Sequence, residues 1–202
     1  DAVRSSDFWP SMHAAEALTL AGQGAEVRRH LESRMTSEPD DQQRCGLARE
    51  LVRAGDRAKV KVMFDILADP DPYAHGHACE SLYKVNEIGD GRLMLAALKQ
   101  ESNPRLALMA AAALGRWGNP DAFSLLRRQL NNEDAELAKV AAWVLARIGD
   151  SRDVPAVRRA RSSHREPIAL AYFDHALATL GDIHGMKQLE ANLVHDDSAV
   201  RT

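Results

Sequence analysis

Alanine and leucine recur at helical spacing along almost the whole chain, in blocks that each end on a leucine. The blocks read HAAEAL, GLAREL, HACESL, MAAAAL, AAWVL and FDHAL, and close at Leu18, Leu51, Leu82, Leu114, Leu145 and Leu177. Successive leucines stand 33, 31, 32, 31 and 32 residues apart. Each block is followed by a glycine: Gly22, Gly55, Gly89, Gly118, Gly149 and Gly181. It lies four residues beyond the leucine, except in the third block, where it lies seven beyond. Glycine there supplies the left-handed conformation that ends a helix without a Cβ clash. In four blocks Asp56, Asp90, Asp150 and Asp182 come next, placed to cap a second helix.

A second helical pattern does follow in every case: AEVRRHLESRM, AKVKVMFDILAD, GRLMLAALKQ, PDAFSLLRRQL, DVPAVRRARSS and HGMKQLEANL. Turn-forming stretches such as DPDP (69–72), ESNP (101–104), NNED (131–134) and HDDS (195–198) close the units. The pattern predicts an all-α chain of about six helix–turn–helix repeats. Their approximate bounds are 8–40, 41–72, 73–103, 104–134, 135–166 and 167–198, in one repeat domain over 1–202. Residues at each leucine, and three and four before it, are expected to bury against neighbouring helices. Examples are Ala14, Ala15 and Leu18; Leu47, Ala48 and Leu51; Ala141, Ala142 and Leu145.

The segments LADPDPYAH…ACESL (67–82), MAAAALGRWGNPDA (109–122) and KVAAWVLARIGDSRDVPAV (139–157) resemble HEAT-like repeats, of the short variety also found in phycobilin lyases. The resemblance covers nearly the whole chain. It implies an α-solenoid with an armadillo-type fold, in which the leucine-anchored helix of each pair lines the concave face. It says almost nothing about activity, because scaffolds and enzymes share such repeats. The last residues, DDSAVRT, read as the first turn of a seventh block (199–202) whose leucine would fall at about residue 208. The expectation is therefore a fragment of a longer protein.

Composition sharpens this picture in a few places. Aromatic residues make up only 5% of the chain, which suits close helix packing through small side chains. Twenty-six basic against twenty-nine acidic residues give a formal charge of −3, so no global attraction to nucleic acid is expected. Cys45 and Cys79 form neither a disulfide framework nor a zinc motif, and their small apolar neighbours predict buried free thiols. No apolar run approaches the ~20 residues of a membrane-spanning helix. The expected compartment is cytoplasmic, with a removed targeting segment left open because the chain begins without Met.

Candidate chemistry lies on one stripe of the anchor helices, two and five residues before each leucine and two after it. The first three blocks place His13 and Glu16, then Arg49 and Arg53, then His77, Glu80 and Lys84 on it. The later blocks supply Met109, Ala112 and Arg116; Val140, Trp143 and Arg147; Tyr172, His175 and Thr179. Trp9, one turn before His13, is placed to close the first end of the groove. Ligand-binding candidates are accordingly Trp9, His13, Glu16, Arg49, His77, Glu80, Lys84 and Trp143.

The paired His-x-x-Glu spacing (His13 and Glu16, His77 and Glu80) raises three chemistries. A metal centre is not expected. Helices two units apart stand roughly 16–20 Å from one another, and Arg49 sits between the two pairs. HEAT-like iron hydroxylases use adjacent His-Glu dipeptides, of which this chain has none. Acid/base or lyase-type catalysis by His13, Glu16, His77 and Glu80 stands as the alternative, without any nucleophile, phosphate-loop or cofactor motif beside it. Nucleic acid would use Arg49, Arg53, Lys84, Arg116 and Arg147, but Glu16 and Glu80 interrupt that stripe. The RRARSSHRE run (158–166) places arginines near a helix C-terminus, where they complement its dipole.

The resulting expectation is a non-catalytic recognition or scaffold module. It binds a protein, or an anionic or polyhydroxylated (sugar-like) ligand, on the concave face. No cofactor, no metal and no membrane are expected, and the partner is another protein or the remainder of a longer chain.

Overall fold

In the computed structural model, residues 2–201 are described, and they are all-α with no strand among them. The helices are α1 (Phe8–Leu20), α2 (Gly24–Ser37), α3 (Asp41–Arg53), α4 (Val60–Ala68), α5 (His75–Lys84) and α6 (Arg92–Leu98). They continue with α7 (Pro104–Arg116), α8 (Pro120–Gln129), α9 (Ala135–Ile148), α10 (Val154–Ser163), α11 (Pro167–Thr179), α12 (Ile183–Asn192) and the short α13 (Ser198–Arg201). The odd-numbered helices α1 to α11 are the leucine-anchored ones, and the even-numbered helices are their second members. The chain divides into two compact units, the first ending at Gln100 and the second beginning at Glu101.

In the first unit α1, α3 and α5 lie side by side as one layer, backed by α2 and α4. Met12, Ala15, Val27, Leu31, Leu47 and Leu51 form the core between α1, α2 and α3. Ala15, Leu47, Ala48 and Leu51 are fully buried as the spacing predicts, whereas Ala14 and Leu18 are only partly so. A 3-10 turn at Ala2–Arg4 packs on α1, burying Val3 and accepting a 2.7 Å hydrogen bond at its carbonyl from Ser11 Oγ.

The second unit repeats the plan. Its α7, α9 and α11 form one layer, with α8, α10 and α12 behind. Leu114, Leu145 and Leu177, with Ala141 and Ala142, are buried there. Arginines of the basic run tie neighbouring elements together. Arg158 pairs with Asp182 and Arg161 pairs with the buried Asp174, while Arg127 of α8 reaches Asp153 at 2.7 Å. The RRARSSHRE run thus contributes two inter-helix ion pairs beyond its effect on the helix dipole.

Helix ends follow from a few side chains. Asp56, Asp90, Asp150 and Asp182 each accept a backbone N–H from the start of the next element. Asn103 before Pro104 and Asn119 before Pro120 do the same for α7 and α8. Five of the six block-ending glycines have positive φ, from 59° at Gly89 to 105° at Gly55. Gly149 does not: its φ is −79°, and a Cβ there would lie 2.7 Å from the Leu145 carbonyl oxygen and 2.8 Å from Asp153 Oδ2. Close approach, rather than handedness, demands glycine at that turn. Cys45 and Cys79 are free and buried, and burial pushes both thiols up to about 12.

Candidate functional site

On the anchor layer of the first unit, Trp9 of α1 leans over α3 and reaches α5. Its ring stacks on His77 with centroids 5.4 Å apart and planes at 15°, and Phe8 meets it edge-on at 4.8 Å. Gly46 in mid-α3 makes the crossing possible. A Cβ on it would stand 3.0 Å from the Phe8 ring and 3.3 Å from Trp9. Glycine costs about 1 kcal/mol in a helix interior relative to alanine, and here the space it leaves is filled by two aromatic rings. Trp9 nevertheless stays 40% exposed, and His13, one turn further on, is exposed as well.

His77 is half-buried. Desolvation pushes its pKa down, and the positive charges of Arg49 and Lys84 act in the same direction against Glu80 and Asp40. The net direction is below the ordinary value, so the imidazole stacked on Trp9 is neutral at neutral pH. Glu80 is subject to opposite pressures. Burial raises its pKa, but Lys84 at 2.7 Å, with Arg49 and His77, outweighs burial and holds it below the usual carboxylate range.

Arg49 is not an open anion clamp. It is 5% exposed and its Nε donates to Oε1 of Glu50 at 2.6 Å. Glu50, fully buried, also accepts from Arg53 at 3.0 and 3.2 Å, and Arg53 reaches Glu16 of α1 at 2.9 Å. A chain of alternating charges, Arg49–Glu50–Arg53–Glu16, therefore links α3 to α1. Glu50 is the member that sequence reasoning missed, although a signal was present. The position just before the anchor leucine holds Ala17, Ser81, Ala113, Val144 and Ala176 in the other blocks. A carboxylate at a position otherwise small or apolar implies a buried charge with a partner.

The anchor layer of the second unit is built differently. Arg147 lies over the Trp143 ring, 4.0 Å from its centroid, and donates to the Trp143 carbonyl at 3.2 Å. Lys139 sits 5.4 Å from the centroid of the Tyr172 ring and pairs with Glu136 at 2.6 Å. His175 is pushed below its ordinary pKa by burial, with the charge of Arg147 adding to the effect. Arg116, at the end of α7, is exposed.

Trp9 and His77 are thus brought into contact, and Glu16, Arg49, Glu80 and Lys84 are each held by a neighbouring charge. Trp143 lies on the anchor layer of the other unit. Among the described residues no three His, Cys, Asp or Glu side chains gather as a metal-binding group. A half-open hollow of about 480 Å³ exists in the first unit, lined by Phe64, Ile88, Gly89, Asp90, Arg92 and Leu93. None of the candidate residues lines it.

Residues 91–172 match a family model described as HEAT repeats. This stretch is similar to HEAT repeats, and with the all-α order of the described helices it supports a HEAT-like repeat protein, consistent with an α-solenoid. A search of curated proteins found no match. HEAT repeats commonly serve as protein-interaction or scaffold modules, and no helix among the described residues is long and apolar enough to cross a membrane.

Proposed function

We propose that the chain is a non-catalytic recognition module that binds a protein on the face formed by its leucine-anchored helices. The pairing of charges carries this reading. Acid/base catalysis needs a group that can reach a substrate proton and is poised to exchange it. Instead Arg49 and Arg53 pair with Glu50, Arg53 also with Glu16, and Lys84 with Glu80. What the first unit leaves to a partner is the exposed part of Trp9 and the exposed His13, a mixed apolar and polar surface of the kind protein interfaces use. Arg49, itself buried, contributes only by holding Glu50.

Photo-crosslinking in the native cell tests the proposal. A photoreactive residue at position 13 or 179, both exposed on anchor helices, is expected to capture a discrete protein. One at Lys61 or Arg128, exposed on the second-member helices α4 and α8, is expected to capture none. Capture from positions 61 and 128 alone would overturn it.

A further inference from the structure

Exposed bulky apolar side chains gather at the last helix pair: Ile183, Met186, Leu193 and Val194 are between 43% and 83% exposed. At 3.6 residues per turn, Ile183, Met186, Glu190 and Leu193 fall within about 80° of arc on one side of α12. Lys187 lies on the flank of that stripe, and Val194 follows in the closing turn. Another side of α12 is committed to the fold. Gly185 is buried there, so close to α11 that a Cβ on it would stand 2.4 Å from the Cβ of Leu177.

In the two preceding pairs, the second helix is tied to the pair that follows by an arginine at a fixed place. Arg127, eight residues after Asn119, bonds Asp153, and Arg158, eight after Asp150, bonds Asp182. Eight residues after Asp182 stands Glu190. A further repeat tied in the same way would set an acidic residue against that carboxylate, so the charge of this face suits a different occupant. Neither Glu190 nor Lys187 has a charged partner among the described residues.

We propose that α12 is the contact of a homodimer, packed antiparallel against α12 of a second copy. About a twofold axis midway between residues 188 and 189, Lys187 of each copy stands opposite Glu190 of the other, and Ile183 opposite Val194. The face is thus self-complementary in charge and in apolar character, as an isologous contact requires. A parallel arrangement would set Glu190 against Glu190 and Lys187 against Lys187. Burial of the apolar side chains drives the association. The exposed ion pairs add little affinity and fix direction and register instead. Residues 183–194 span about 18 Å of helix, a contact smaller than the standard interface of about 800 Å² a side. The dimer is therefore weak, with a Kd on the order of 10–100 µM. The inference does not rest on the recognition reading, since the anchor helices take no part in the contact.

Sedimentation equilibrium of the full chain tests it. The mass is expected to move from one chain toward two as concentration rises from about 1 to about 500 µM. Leu193→Asp is expected to keep the chain monomeric throughout, and Lys61→Glu on α4 to leave the Kd within about twofold. Lys187→Glu and Glu190→Lys each set like charges opposite one another twice, by symmetry, and are each expected to weaken the dimer about tenfold. The double variant Lys187→Glu/Glu190→Lys restores both pairs and is expected to recover the native Kd to within about threefold. These side chains are exposed, and far-UV circular dichroism checks that each variant folds. A native chain that stays monomeric at about 500 µM, a dimer indifferent to Leu193→Asp, or a double reversal as weak as the single ones would overturn the proposal. None of these results bears on capture at positions 13 and 179, so the recognition reading stands or falls separately.

Discussion

At the scale of single residues, Trp9 and Gly46 explain one another. A tryptophan early in α1 meets only Phe8 on its own helix and needs a partner beyond it. A glycine in the middle of α3 weakens that helix for no local reason. The ring of one fills the missing Cβ space of the other and comes to rest on His77. The stripe itself was legible from the helical period, as was the singling out of Trp9 and His77. Their contact was not, because it depends on an aromatic side chain spanning an intervening helix. Burial leaves His77 titrating below 6.5 in the folded chain, so the unfolded chain binds its proton more tightly. The stabilising contribution is full above pH 6.5 and is lost as pH falls through the folded value. Trp9→Ala admits water to the imidazole, and an NMR titration is expected to show the His77 midpoint rising toward 6.5. An unmoved midpoint would contradict the burial assigned to the stack.

At the scale of elements, the helix pairs and most of their ends were readable because their causes are local. Ala/Leu periodicity, a glycine stop and an Asp or Asn cap act within a few residues of one another. The exceptions come from tertiary contact. The Ala2–Arg4 turn that buries Val3 follows no repeat pattern, since it exists by packing on α1. Gly149 has an ordinary backbone conformation, and its requirement lies in the Leu145 carbonyl and the Asp153 carboxylate that crowd it. Asp153 is itself fixed by Arg127 and by the Asp150 backbone N–H. Gly149→Ala is therefore expected to destabilise the fold by about 1–3 kcal/mol through overpacking, measured by urea unfolding. Unchanged or increased stability would show that the turn relaxes freely around a methyl group.

At the scale of the whole molecule, the chain uses one repeat plan for two differently charged anchor layers. In the first unit the cations of the stripe are neutralised by Glu16, Glu50 and Glu80. In the second, Trp143 and Ala112 occupy the places where Glu80 stands in the first, and Arg147 lies on a ring. Sequence reasoning placed the functional weight on the first three blocks because titratable residues were densest there. Density does not by itself give availability, since opposite charges one turn or one helix apart pair off. The most direct measurement compares the affinity of the crosslinked partner for anchor-layer variants and second-layer variants of the full chain. Trp9→Ala and His13→Ala are expected to weaken binding at least about tenfold, and Lys61→Glu and Arg128→Glu to change it less than about twofold. Losses concentrated in Lys61→Glu and Arg128→Glu, with Trp9→Ala and His13→Ala binding as the native chain does, would contradict recognition by the anchor helices.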